Sequence, residues 1–140
     1  MTDVKNEPED ERYKDGYIYY MYDRKHKRIY VGCSRMRFSK RMADHRYDYK
    51  AYMGQASPKL LRNYRTSFDI IIQEEYETGI LEKFPCNSRK ELEYREYEWI
   101  TALNEKEDLE VVNIWKRNIK KPQLNHSFFQ LPFCIAKEVS

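Results

Sequence analysis

Apolar and polar positions change rhythm several times along this chain of 140 residues. From Tyr17 to Tyr22 the sequence YIYYMY is a β-prone run of aromatic and aliphatic residues, and Arg28 to Cys33 (RIYVGC) is another. The polar tetrapeptide Asp23-Arg24-Lys25-His26 between them suits a hairpin turn, so two short antiparallel strands are expected. A helix should follow. Phe38, Met42, His45, Tyr49 and Tyr52 recur at spacings of four and three and mark one helical face, with Gly54 as the natural stop. Ser57-Pro58 reads as an N-cap followed by a first-turn proline, opening a short helix that runs to about Tyr64. Phe68 to Gln73 (FDIIIQ) has the β-branched character of a third, more buried strand.

Ser88 and Glu91 have the spacing of a capping box, in which each side chain satisfies the other residue's free backbone N–H. Behind them Leu92, Trp99, Ile100 and Leu103 form the apolar stripe of a second long helix. Val111 to Trp115 (VVNIW) reads as extended. The basic residues Lys116, Arg117, Lys120 and Lys121 come next, and Pro122 ends the patch. The pattern divides the chain into a polar, disordered lead-in at 1–15, one domain at 16–122, and a tail at 123–140 with no clear period. No internal repeat is visible.

Composition narrows the class. A chain of 17.2 kDa with 41% apolar residues can build one core and little more. Thirteen tyrosines supply rings that serve a core, a wet surface or base stacking equally well. The net charge of +3 hides a strong segregation. Residues 24–50 carry ten basic and two acidic side chains, a net of +8, whereas residues 73–110 carry five basic and twelve acidic ones, a net of −7. Either one face attracts phosphates and the acidic segment turns elsewhere, or two helices of opposite sign simply pair. Cys33, Cys86 and Cys134 are an odd set at wide spacings, with neither a zinc pattern nor a disulfide framework. The acidic N-terminal stretch has no apolar run of a signal peptide, and no segment is long enough to span a membrane. An intracellular protein, of cytoplasm or nucleus, is expected.

Some residues could carry chemistry. Glu96 lies within the stripe of the second helix, four after Leu92 and three before Trp99, where a carboxylate is expensive unless paired, protonated or bound to metal. It reads as a buried ion pair with an Arg or as a metal ligand at the edge of the core. Arg41 and His45, four apart, project from one helical face. They read as packing and surface residues, or as a guanidinium that holds a phosphate beside an imidazole that moves a proton. Tyr19 and Tyr30 lie on the two hairpin strands, where they could share a face as a packing pair.

The ordered combination is more specific than its parts. Ile18-Tyr19, ten residues, then Tyr30-Val31-Gly32 resembles the signature of the GIY-YIG nuclease family. Arg41 with His45 resembles the family's helical Arg and His. Leu92-Glu93-Tyr94-Arg95-Glu96-Tyr97-Glu98-Trp99-Ile100 looks like its downstream helical Glu in context, and Val112-Asn113 looks like its late Asn. The resemblance spans about residues 16–115 and has the flavour of short stand-alone members from large DNA viruses and mobile elements. Tyr17 stands where the tripeptide has Gly, with Gly16 one position early. Arg41 lies one residue further from Gly32 than in many members, and its spacing to His45 selects it over Lys40.

The resemblance implies an α+β domain, a three-stranded antiparallel sheet flanked by helices, and a metal-dependent endonuclease acting on DNA. It implies one Mg²⁺ or Mn²⁺ held by Glu96 and water activated by Tyr19, with Tyr30 hydrogen-bonded beside it. Arg41 would stabilise charge on the phosphate, His45 would orient the water or relay its proton, and Asn113 would brace the site. A phenol is a poor base at its usual pKa of about 10, so the metal and Arg41 would have to favour the phenolate. Arg35, Arg37, Lys40 and Arg46, with Lys116, Arg117, Lys120 and Lys121, would grip backbone phosphates. Sequence specificity would then be poor, or come from the tail or a protein partner. Two rivals belong to other classes: a non-catalytic nucleic-acid-binding module on the same scaffold, and an acidic/basic protein-interaction domain.

Overall fold

A computed structural model of the protein describes residues 11–54 and 65–113. Strands β1 (Tyr17–Asp23) and β2 (Arg28–Ser34) form the expected hairpin, paired antiparallel from Tyr17↔Ser34 to Asp23↔Arg28. Within the turn the Asp23 carboxylate accepts from the His26 backbone N–H (3.3 Å) and pairs with its ring Nδ1 (2.7 Å). Helix α1 (Phe38–Met53) ends at Gly54, and helix α3 (Arg89–Asn104) starts after Ser88, as the patterns predict. Ser88 Oγ accepts from the Glu91 backbone N–H at 3.3 Å. The reciprocal arm differs: the Glu91 carboxylate takes the Asn87 N–H (3.1 Å) and the Ser88 hydroxyl (3.2 Å).

The sheet differs from the expectation. Among the described residues it has four strands in the order β3-β1-β2-β4, and it is mixed rather than three-stranded and antiparallel. β3 (Glu77–Lys83) pairs antiparallel with β1, while the two-residue β4 (Glu110–Val111) runs parallel to β2. The segment predicted as the third strand instead forms α2 (Phe68–Ile71), with Ile72 N–H bonded back to Phe68 O at 3.0 Å. β-branched residues only bias a segment towards strands. A single turn of helix buries Phe68, Ile70 and Ile71 together on the tyrosine-bearing face of the sheet, and that burial prevails. The true third strand, ETGILEK, carries Gly and three charges, so its sequence reads as a turn or a surface. At the edge of a sheet such charges keep the strand from pairing further.

The last five residues of the expected lead-in, Glu11–Asp15, form a 3-10 turn, where Tyr13 O accepts from Gly16 N and Cys86 N. The short helix expected from Ser57, the basic patch at Lys116 to Lys121 and the tail lie outside the described residues. Of VVNIW, Val111 ends β4 and residues 112–113 form a turn.

Side chains alternate across β1 and β2, so the hairpin feeds two cores. Ile18, Tyr20, Tyr22, Ile29 and Val31 pack with Leu92, Trp99, Ile100 and Leu103 of α3. Tyr17, Tyr19 and Met21 pack with Met42 of α1 and with α2. The basic and acidic long helices therefore lie on opposite faces of the sheet and do not pair with each other. No helix among the described residues is long and apolar enough to cross a membrane.

Candidate active site

β1 and β2 set the first two candidates by register. Tyr19 lies opposite Gly32 and Tyr30 opposite Met21, which places both rings on the α1 face, with centroids 6.2 Å apart. Gly32 is required by close approach. A Cβ there would overlap the Tyr19 ring, so the ring can lie flat across β2 only because that residue has no side chain.

α1 brings two more. Tyr19 Oη is 2.6 Å from His45 Nε2, and Arg41 Nε donates to the same oxygen at 3.2 Å. His45 is 2% exposed, and its Nδ1 is 3.1 Å from the hydroxyl of Ser67, which is wholly buried. Tyr30 stacks edge-on against His45 with centroids 5.4 Å apart. Arg41, Tyr19, His45 and Ser67 thus form one hydrogen-bonded row, with Tyr30 beside it. Ser67 is the member that sequence reasoning missed. No motif marks it, and its place becomes visible only once α2 is known to be a helix.

Burial governs the electrostatics of the row. It raises the Tyr19 phenol well above its usual 10; the neighbouring Tyr30 adds to the rise, and Arg41 opposes it with less effect. Burial likewise raises Tyr30, with the charge of Glu96 adding to it. It pushes His45 down from 6.5 to about 3, helped by the positive charges of Arg41 and Arg65. In the free protein, then, the phenol keeps its proton and the imidazole is neutral. Arg41 acts on the phenol in the direction the family resemblance requires, but desolvation is larger.

Glu96 approaches from α3, on the other side of the hairpin. Burial raises its carboxyl to about 7; the Cys33 thiol donates a hydrogen bond that lowers it, Glu93 raises it and Arg41 lowers it. Arg41 and Tyr30 feel its charge across the strand. No Arg or Lys is hydrogen-bonded to Glu96 among the described residues, and the cation that acts on it is Arg41. Of the two arginines of that helix, Arg89 is turned to Glu93 at 3.0 Å, and Arg95 to Glu82 at 2.7 and 3.1 Å and to Glu98 at 3.3 Å. Among the described residues no three His, Cys, Asp or Glu side chains converge on a metal position. The fit in question is therefore a single carboxylate completed by water and substrate oxygens. Glu96 suits that role: it is half-buried, beside a second carboxylate, and short of compensating positive charge, which a hard divalent ion would supply.

Asn113 is 4% exposed and works on the backbone. Its Oδ1 accepts from Val31 N and its Nδ2 donates to Val31 O, so the amide carries the short β2–β4 pairing on to Val31. This fixes β2 immediately before Gly32. Of the basic candidates, Arg35, Arg37, Lys40 and Arg46 are all exposed at or on α1, with the Arg35 guanidinium 5.5 Å from the Tyr13 ring centroid. Lys116, Arg117, Lys120 and Lys121 lie outside the described residues. No known protein family, curated protein or solved structure matches the chain.

Proposed function

We propose that this protein is a divalent-metal-dependent endonuclease that hydrolyses DNA phosphodiester bonds on a GIY-YIG-like scaffold. The observation that carries the reading is the hydrogen-bonded contact of Arg41 and His45 with the one hydroxyl of Tyr19, at 3.2 and 2.6 Å. A packing tyrosine does not need two such partners, whereas phosphoryl transfer needs a cation for the phosphate and an acceptor for the proton of water.

Each side chain has a defined task. Arg41 is half-buried and keeps its charge, so its remaining N–H groups bind a phosphate oxygen and offset the charge that grows there. The Tyr19 hydroxyl accepts the proton of the attacking water as its own passes to His45 Nε2, because a buried phenol does not ionise in advance. A bound phosphate places negative charge against Arg41, one of the two cations that depress His45, and so makes the imidazole more basic in the complex. Tyr30 fixes the ring positions beside it, and Asn113 holds the strand that carries Gly32. Glu96 would hold a Mg²⁺ or Mn²⁺ ion, which when bound supplies positive charge to the phosphate and the departing oxygen. The exposed Arg35, Arg37, Lys40 and Arg46 give salt-sensitive contacts to the DNA backbone.

The test is nicking of supercoiled plasmid with and without Mg²⁺ or Mn²⁺, beside a DNA-binding assay. Glu96→Gln keeps the shape of the side chain and removes its charge. Nicking should fall on the order of a thousandfold while binding survives. Equal nicking by the two proteins would sink the metal assignment. Binding without nicking by the wild type in either metal would leave a nucleic-acid-binding module instead.

A further inference from the structure

We propose that Ser67 is a positioning residue of this site: it holds the His45 imidazole in the tautomer whose Nε2 is free to take the Tyr19 proton. The inference rests on the nuclease reading for its purpose, but its geometry stands independently of it.

The argument starts from the donors. Arg41 Nε can only donate, so Tyr19 Oη accepts from it. The 2.6 Å separation between Tyr19 Oη and His45 Nε2 is shorter than N–H···O bonds usually are, at about 2.7–3.2 Å, and within the range where a hydroxyl is the donor. With Tyr19 as the donor in this short contact, Nε2 carries no hydrogen. A neutral imidazole must then carry its hydrogen on Nδ1, and Nδ1–H points at Ser67 Oγ, 3.1 Å away. A serine hydroxyl can accept this hydrogen without adding a charge to a buried place, which a carboxylate in the same position would do.

Ser67 is well held for the task. It is fully buried, and its carbonyl accepts from Ile70 N (3.0 Å) and Ile71 N (3.1 Å), so the first turn of α2 fixes its backbone. α2 in turn is anchored by Phe68, Ile70 and Ile71 in the same core that holds the Tyr19 ring. Among the described residues, the ionisable groups facing His45 are Tyr19 from β1, Tyr30 from β2, Arg41 from its own helix and Arg65 from the segment before α2. None of these offers Nδ1 an acceptor. Ser67 does.

The experiment has two arms on the full chain. Nitrogen-15 NMR of the free wild-type protein should show His45 protonated on Nδ1 and bare on Nε2. Ser67→Ala should lose that single signature. Its single-turnover nicking rate in Mg²⁺ should drop at least roughly tenfold with DNA affinity unchanged, the scale on which misplacing a working group is felt. Ser67→Thr keeps the hydroxyl and should restore both readouts, which a purely structural role for Ser67 would not require. A wild-type imidazole protonated on Nε2 overturns the proposal. So does a folded Ser67→Ala protein with unchanged tautomer and rate. Should Ser67→Ala fail to fold, the wild-type spectrum and the Ser67→Thr spectrum decide. A wild type with the Nδ1–H signature and no nicking in any metal would instead refute the nuclease reading and leave the tautomer assignment standing.

Discussion

The two faces of one β-hairpin have been put to different uses. On the α3 face β1 and β2 contribute Ile18, Tyr20, Tyr22, Ile29 and Val31 to a core closed by Trp99, Ile100 and Leu103. At its rim, Arg95 and the Trp99 indole N–H both reach Glu82. On the α1 face the same strands contribute Tyr17, Tyr19, Met21 and Tyr30, and His45 and Ser67 are buried among or against them. A mostly apolar face tolerates some repacking, since its contacts are non-directional. A face with a buried polar row does not, because every donor in it needs a specific acceptor. The first face supplies stability, and the second gives up adaptability for a fixed arrangement of hydroxyl, imidazole and guanidinium.

The sharpest way to break the contrast is to damage the apolar face. Trp99→Ala should destabilise the fold by about 3–5 kcal/mol in chemical denaturation. The molecules that remain folded should nick DNA at the wild-type rate. Loss of rate per folded molecule would mean that the α3 core also sets the site.

Next in size is acid stability. His45 has its folded pKa lowered from 6.5 to about 3, so its contribution is present above pH 6.5 and is lost as pH falls towards 3, about 3 kcal/mol by pH 4. His45→Asn should lack this loss, giving a flatter stability profile between pH 6.5 and 4. Glu96 has the opposite sign: its raised carboxyl loses stability as pH rises from about 4.5 to about 7, so Glu96→Gln should gain stability at neutral pH. Parallel profiles for wild type and both variants would show that neither group is strained by burial.

Tyr19→Phe should cut the single-turnover rate roughly a hundredfold, the usual scale for losing a proton-transfer group, with the ring still packed. Tyr30→Phe should cost less. An unaffected Tyr19→Phe enzyme beside a dead His45→Ala enzyme would remove Tyr19 from the proton path.

Two glycines make the comparison internal. Gly32 and Gly79 lie directly opposite Tyr19 and Tyr20, and a Cβ at either would collide with the facing ring, at 2.8 Å from the Tyr20 hydroxyl in the case of Gly79. Gly32→Ala and Gly79→Ala should each destabilise by about 1–3 kcal/mol. Only Gly32→Ala should also slow nicking, because only it displaces a ring of the polar row. The smallest effect is expected at the surface. Lys40→Ala with Arg46→Ala should weaken DNA binding several-fold and reduce its logarithmic salt slope by about 2, with the rate at saturating DNA nearly unchanged.

Short-range order was legible in the sequence. The hairpin from Tyr17 to Ser34, the helix from Phe38 to Gly54 and the capped helix from Ser88 are specified by alternation, by helical period and by caps, all of which operate within a few residues. The same spacings singled out Tyr19, Tyr30, Arg41, His45 and Glu96, because residues on regular elements recur at fixed intervals, whereas Asn113 was named only through the family resemblance. Two things were decided only in three dimensions. FDIIIQ became a helix and ETGILEK a strand, since a short segment's conformation follows the surface available to bury it more than its own preference. The state of the site was likewise a tertiary matter: burial overrides Arg41 in keeping Tyr19 protonated, and it keeps His45 neutral. Ser67 gained a role only by being folded against Nδ1 of a histidine 22 residues away. Sequence fixes which groups a chain carries and where regular elements present them; desolvation and hydrogen-bond partnership depend on everything packed around them.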